Sequence, residues 1–168
     1  MLKELCLLNG TSGDEVEVRN YIIKQIKDYC DYSVDALGSV IAFKKGRKTP
    51  DKKVSINAHM DEVGFIITGI TDEGYLRFST VGGIDRRVCI DRVVTGDKAF
   101  HLLDDDERKK NPSVEKLLID IGATSKEEAE KVVNLGDFAY FDSDYYEFGD
   151  GFVKSKALDD RIGCMLMI

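Results

Sequence analysis

The spacing of apolar residues changes along this chain from a helical period to a strand-like period, and that change limits the folds open to it. Helical spacing predicts an amphipathic helix over about residues 14–30, begun by a capping box that runs from Ser12 to Glu15. Residues 64–100 instead alternate in short apolar runs separated by turn signals, which predicts an all-β segment. The chain therefore combines helices with a separate stretch of short strands.

Shorter patterns predict the remaining elements. A turn at residues 37–38 lies between two strands, at 32–35 and 39–43. A second capping box, from Ser125 to Glu128, predicts a short helix that runs through Val133. The other predicted elements are a buried strand at 54–58, strands at 75–78, 88–90, 92–94, 138–141 and 151–154, and a buried helix that opens near Lys156.

Charge and cysteine content restrict the partners and the compartment. A formal net charge of -7 and a sequence pI near 4.9 disfavour nucleic acid and anionic membrane surfaces, because no basic stripe offsets the repulsion from phosphates. No apolar run approaches the ~20 residues of a membrane-spanning helix, and the first residues do not resemble a secretory signal. The 4 cysteines are widely spaced, which favours reduced thiols in a cytoplasmic protein over a disulfide framework or a cysteine zinc site.

His59 is the first candidate for chemistry. It follows the predicted strand at 54–58, and in α/β sheets functional side chains emerge where strands end. A neutral imidazole there can bind a metal ion, and Asp61 is placed to accept its other ring N–H, which fixes the tautomer. The H-x-D spacing alone leaves a structural histidine as the more common interpretation and a metal ligand as the alternative.

The adjacent carboxylates Asp159 and Asp160 are the second candidate. One carboxylate has two oxygens and can bridge two cations ~3.5–4 Å apart, as in two-metal hydrolytic sites. The competing interpretation is that one of the two caps the last helix. The glycine-rich stretches match neither phosphate-binding motif, no nucleophile elbow is present, and His101 is expected to be structural.

Several segments together resemble the M42 (glutamyl aminopeptidase) family of metallopeptidases. Ala58 to Phe65, with the sequence AHMDEVGF, matches the first metal motif of the family, and Lys156 to Cys164, with the sequence KALDDRIGC, matches the second. Further segments resemble the family in the same order along the chain: NGTSG at 9–13 with EVR at 17–19, the glycine pair at 82–83, IDIGA at 119–123, EEA at 127–129 and GD at 136–137. The chain is accordingly identified as similar to the N-terminal half of a family member.

The resemblance implies an α/β fold with two parts. Residues 1–64 and 151–168 would form part of the α/β catalytic domain, and residues 65–150 would form an inserted, all-β, barrel-like domain that serves dimerisation. The implied activity is release of N-terminal residues from peptides, with two divalent ions such as zinc or cobalt per site. The implied assembly is a homo-oligomer, a dimer or a dodecamer built from dimers.

The resemblance also assigns roles to individual residues. His59 would bind one metal ion, Asp159 would bridge both ions, and Asp61 would orient His59. Asp160 would follow Asp159 through a cis peptide bond. The general-base glutamate and the other ligands of the family would lie beyond residue 168, so the 168-residue chain is expected to be inactive alone. The segment near 90–101 looks shorter than its family equivalent, which questions the usual dimer contact.

Two other functions remain as alternatives. The chain could be a non-catalytic remnant that acts as an assembly subunit through its inserted domain. An endoglucanase is the third interpretation, but glycoside hydrolysis needs two carboxylates ~5–9.5 Å apart across a sugar, which the adjacent Asp159 and Asp160 do not suggest.

Overall fold

A computed structural model of the chain describes residues 1–48, 51–89 and 113–168, which form two compact units. The first unit comprises residues 1–62 and 142–168, and the second comprises residues 63–141. The helices are α1 (Leu2–Leu7), α2 (Val16–Ile26), α3 (Lys126–Ala129) and α4 (Leu158–Met167). The strands are β1 (Asp31–Val34), β2 (Val40–Phe43), β3 (Gly64–Ile70), β4 (Leu76–Val81), β5 (Phe138–Ala139), β6 (Tyr146–Phe148) and β7 (Phe152–Lys154).

The core of the first unit forms where α1 meets α4. Leu5, Val18 and Cys164 are buried there, because one apolar face each of α1, α2 and α4 turns inward. Two antiparallel hairpins, β1–β2 and β6–β7, complete the strands of this unit. The core packing thus holds the later turns of α4, whose first turn carries the candidate carboxylates.

The second unit is built on a three-stranded antiparallel sheet in the order β4-β3-β5. Alternate residues of β3 and β4 point into its core, and Phe65 meets Phe78 and Phe141 edge-on at centroid distances of 4.8 and 5.0 Å. Short 3₁₀ helices occur at Arg86–Cys89 and Val114–Lys116. The fold class is therefore mixed α/β, but the described residues contain no closed sheet, so the barrel-like form stays a prediction.

Several sequence predictions are confirmed by the structure. The β1–β2 hairpin, the strand at 75–78, the strands near 138–141 and 151–154, and the last helix all form close to their predicted positions. Ser125 caps α3, since its Oγ accepts a hydrogen bond from the Glu128 N–H at 3.3 Å. All four cysteines are free, and three of them are buried.

Other predictions are wrong in extent or in kind. The helix predicted over 14–30 is confined to Val16–Ile26, and Ser12 does not cap it, because its hydroxyl is hydrogen-bonded elsewhere. The helix begun at Ser125 ends at Ala129 instead of Val133. Val88 and Cys89 lie in a 3₁₀ helix instead of a strand, and β6 had no sequence signal strong enough to predict it.

The largest error concerns the strand at 54–58. No strand among the described residues pairs with this segment, and Val54 and Ile56 are 89% and 75% exposed. An apolar run becomes a buried strand only when neighbours pair with its backbone and cover both of its faces. The last helix is likewise not a buried one, since Leu166 is 75% exposed.

Some predictions fall outside the described residues. These are the strand at 92–94, the structural role of His101 and the shortened segment near 90–101. In the part of the chain that the structure does describe, no helix has both the length and the apolar character to span a bilayer.

The turn between β3 and β4 yields a stability prediction. Gly74 has a φ of +94°, and a Cβ built there would lie 2.9 Å from the Ser125 carbonyl oxygen and 3.0 Å from that of Ala123. Gly122 has a φ of +77° but open space around its Cβ position. Both Gly→Ala variants carry about 1–2 kcal/mol of left-handed strain. We expect Gly74→Ala to lose about 1–3 kcal/mol more than Gly122→Ala, because only Gly74 is overpacked.

Urea unfolding followed at the amides of β3 measures this difference. The paired variants share the strain and differ in the backbone clash, so equal losses at the two positions would contradict the packing argument.

Candidate metal centre

His59 is held at both of its ring nitrogens. Its Nδ1 lies 2.9 Å from Asp61 Oδ1, and its Nε2 lies 2.9 Å from Asp159 Oδ1. The sequence placed these three residues in two separate motifs, and the structure brings them together within the first unit. The His59 side chain is 54% exposed, so the group is open to solvent and to a ligand.

Asp61 is itself held by a residue that sequence analysis assigned to another role. Ser12 Oγ donates a hydrogen bond to Asp61 Oδ2, while Asp61 Oδ1 faces His59. Ser12 reaches this position because Thr11 and Glu62 form a parallel bridge, with the Glu62 N–H donating to the Gly10 carbonyl at 2.8 Å. The contact between Ser12 and Asp61 becomes apparent only when the segments of Thr11 and Glu62 are paired. The sequence alone suggests another role, because S-x-x-E is also the pattern of a helix cap.

Asp159 and Asp160 divide the two roles that the sequence left open. Asp160 Oδ1 accepts a hydrogen bond from the Gly163 N–H at 3.0 Å and so caps the helical part of α4. Asp159 instead faces His59, and its side chain is 94% exposed. The peptide bond between them is cis, as the family resemblance implied.

A buried group of charged residues lies next to this site. Lys156 Nζ donates to Glu62 Oε1 at 2.6 Å, and also to Asn9 Oδ1 and the Leu8 carbonyl at 3.2 and 3.3 Å. The fully buried Arg161 donates from Nη1 to the Leu5 carbonyl at 2.5 Å and has Nη2 3.8 Å from Glu62 Oε1. This group could not be predicted from the sequence, because charged residues at these positions give no signal that they are buried.

The hydrogen bonds shift two pKa values in opposite directions. Burial disfavours the charged form of His59, but the carboxylates of Asp159 and Asp61 outweigh it and raise the pKa above its ordinary value of 6.5. Burial also opposes ionisation of Asp61, but Ser12 and His59 outweigh it and lower the pKa below 3.8. In the metal-free chain the arrangement thus favours an imidazolium between two carboxylates.

These shifts predict a pH dependence with a definite sign. Because the pKa of His59 is raised in the folded state, its contribution to stability is fully present below pH 6.5. That contribution is lost as the pH rises through the pKa of the folded state. Asp61 behaves in the opposite way, with its contribution lost as the pH falls through its lowered pKa. We expect the His59 ring of the chelator-treated chain to titrate above 6.5, and Asp159→Asn to lower that pKa.

Titration of the imidazole signals by NMR checks this expectation. A wild-type His59 that titrates at or below 6.5 would contradict the hydrogen bonds at its two nitrogens.

The donor atoms partly fit a divalent metal ion. An imidazole nitrogen and a carboxylate oxygen suit zinc, and two such ligands on one tetrahedral ion lie roughly 3.4 Å apart, given bonds of about 2.0–2.2 Å. The observed 2.9 Å between Nε2 and Oδ1 is a hydrogen-bond distance, and the two atoms would have to separate by about 0.5 Å to hold one ion. No group of three or more potential His, Cys, Asp or Glu ligands occurs in the described ranges. These residues supply two of the ligands that such an ion requires.

Comparisons with known proteins agree on one family. Residues 38–168 match the model of the M42 glutamyl aminopeptidase family. A protein of Acetivibrio thermocellus named "Putative aminopeptidase" is 45% identical over 173 residues, which cover 100% of this chain and 51% of that protein. The chain spans about half the length of the curated relatives it matches.

Similar solved structures include TET peptidases. The TET aminopeptidase of a marine sediment archaeon of the Thaumarchaeota matches with a TM-score of 0.89 and 38% identity, over 99% of this chain and 50% of that one. The Pyrococcus horikoshii TET1 peptidase, which can assemble into a tetrahedron or a large octahedral shell, matches with a TM-score of 0.85 and 40% identity, over 99% and 53% of the two chains. The family match and these structural similarities lead to one conclusion: the chain belongs to the M42 glutamyl aminopeptidase family.

Proposed function

We propose that this chain forms part of a dinuclear-metal aminopeptidase, which releases N-terminal residues from peptides with zinc or cobalt. The observation that carries the proposal is the placement of His59, with Asp61 at Nδ1 and Asp159 at Nε2, both at 2.9 Å. A histidine that is oriented by one carboxylate and faces a second, exposed carboxylate is the arrangement of a metal ligand with its orienting partner. Membership of an aminopeptidase family supports the choice of peptide as substrate.

Each residue of the proposed site has a defined task. His59 would hold one ion through Nε2, and Asp159 would hold this ion together with a second one. Asp61 accepts the Nδ1–H of His59 and so keeps the lone pair on Nε2, while Ser12 holds Asp61 in place. Two divalent ions bound there would lower the pKa of a water molecule and polarise the scissile carbonyl.

The charge of the chain suits a peptide substrate. The chain has a formal net charge of -7. This charge favours the positively charged free N-terminus of a peptide over polyanionic substrates. We accordingly exclude nucleic acid and membranes from the proposed partners.

The 168-residue chain is proposed to be inactive alone. The described residues provide two candidate ligands, whereas catalytic zinc sites have three protein ligands for each ion. The remaining ligands of both ions would therefore come from residues outside the described ranges. The same observation favours a second candidate function, a non-catalytic assembly subunit, which predicts defined association with a longer homologue and no hydrolysis.

The proposed assembly is a cytoplasmic homo-oligomer. We assign dimerisation to an inserted, barrel-like domain at about residues 65–150, and the rest of the chain to the catalytic domain. Support comes from the oligomeric assemblies of the similar TET1 peptidase, which are properties of that protein.

A chimera tests the proposed activity. Residues 1–168 replace the matching part of the Pyrococcus horikoshii TET1 peptidase, whose own second half then completes the chain. We expect zinc- or cobalt-dependent release of the first residue from a peptide with a free N-terminus, and none from the N-acetylated peptide. A chimera that folds and binds two ions but releases no N-terminal residue would overturn the proposal.

A further inference from the structure

One carboxylate oxygen, Glu62 Oε1, faces two buried cations in the first unit. Lys156 Nζ lies 2.6 Å from it within a hydrogen bond, and Arg161 Nη2 lies 3.8 Å from it as an ion pair. All three side chains are at least nine-tenths buried, with exposed fractions of 5% for Glu62, 9% for Lys156 and 0% for Arg161. Water screens such a group weakly, so its members hold one another strongly in position.

The two cations bracket the candidate ligand Asp159 along the chain. Lys156 precedes Asp159 by three residues, and Arg161 follows it by two. Glu62 directly follows Asp61, the residue that orients His59. The buried group therefore connects the loop that carries His59 with the turn that carries Asp159. It holds that turn at one residue before Asp159 and at one residue after it.

The group is also anchored to a third segment. Lys156 donates to Asn9 and Leu8, Arg161 donates to Leu5, and the Glu62 N–H donates to Gly10. Gly10 leaves room for the guanidinium, since a Cβ there would lie 2.8 Å from Arg161 Nη2. The hydrogen-bond acceptors of Lys156 and Arg161 named here are Glu62 and residues of this third segment. The charged group thus connects the segments that carry the candidate ligands.

We propose that Glu62 is a positioning residue of the metal site, which fixes the separation of His59 and Asp159 by holding Lys156 and Arg161 on either side of Asp159. This inference rests on the proposed function, because it assumes that His59 and Asp159 are ligands. Glu62→Gln keeps the size of the side chain but removes the charge that both cations face. The turn that carries Asp159 then moves relative to His59, and the affinity of the site for metal falls.

Isothermal titration of zinc into the chimera with the TET1 peptidase tests this role. Removal of a partner beyond the ligands typically lowers metal affinity about 10–100-fold, and we expect Glu62→Gln to fall in that range. Glu128→Gln is the control, since Glu128 loses the same charge while its carboxylate accepts hydrogen bonds from Thr124, in the second unit. Urea unfolding of each variant separates affinity from stability, because a merely structural role would lower stability and leave the zinc affinity of the folded chain unchanged.

His59→Ala in the same series distinguishes the two possible failures. Equal zinc affinity in wild type and His59→Ala would overturn the proposed function and this inference with it. Zinc binding that depends on His59 but is unchanged in Glu62→Gln would overturn the inference alone. If Glu62→Gln does not fold, Lys156→Gln decides the question, because Arg161 then still neutralises Glu62 while one side of the Asp159 turn is released.

Discussion

Arg161→Ala is expected to lose about 2–5 kcal/mol of unfolding free energy, the range typical of a large buried side chain that is replaced by alanine. Arg161 is completely buried, it donates to the Leu5 carbonyl, and it lies 3.8 Å from Glu62. Its removal leaves that carbonyl without its donor and opens a cavity beside the core of the first unit. Urea unfolding followed at the amides of α2 measures the loss.

Two further variants give this prediction its controls. Arg47→Ala removes an exposed arginine of the same unit and should change stability by no more than about 0.5 kcal/mol. Arg161→Met should lose less than Arg161→Ala, because methionine fills the space and Lys156 still neutralises Glu62. Arg161→Ala and Arg47→Ala variants of equal stability would show that the guanidinium is not part of the folded core.

Asp159→Asn should abolish metal-dependent hydrolysis in the chimera with the TET1 peptidase. Metal ions contribute several kcal/mol to a hydrolytic transition state, and each 1.4 kcal/mol is tenfold in rate, so we expect a loss of about a thousandfold or more. An amide oxygen is a weaker ligand than a carboxylate and cannot bridge two ions with equal strength. His59→Ala removes the other proposed ligand and should have an effect of similar size.

Asp160→Asn is the matched control for Asp159→Asn. It makes the same chemical change one residue later, but asparagine is as good a helix cap as aspartate, so the contact with the Gly163 N–H survives. We expect kcat within about tenfold of wild type for this variant. Equal losses in the two variants would contradict the division of roles between the adjacent carboxylates.

Local sequence patterns predicted those elements whose stability is local. The β1–β2 hairpin depends on a turn and on alternation within a few residues, and the cap of α3 depends on Ser125 alone. The segment at 54–58 differs, because its apolar run needs paired strands that the described residues do not supply. The length of α2 was overestimated for a related reason, since residues after Ile26 continue the apolar pattern without packing that would keep them helical.

The candidate site could be predicted only in part. His59, Asp61 and Asp159 were identified from motifs, and the structure places their polar atoms within hydrogen-bond distance. Ser12, Glu62, Lys156 and Arg161 were missed, because their contacts join residues up to 156 positions apart. A short motif indicates which side chains can bind metal or transfer protons. The residues that hold those side chains in place are determined by the fold.

The central claim is that His59 and Asp159 are metal ligands, and one measurement tests it most directly. The ¹⁵N signals of the His59 ring are recorded by NMR while zinc is added to the 168-residue chain and to its Asp159→Asn variant. We predict that Nε2 of the wild type shifts as zinc binds, that Nδ1 keeps its proton towards Asp61, and that the response is weaker in the variant. Ring signals that stay unchanged while zinc binds, or that respond equally in the two proteins, would contradict the account.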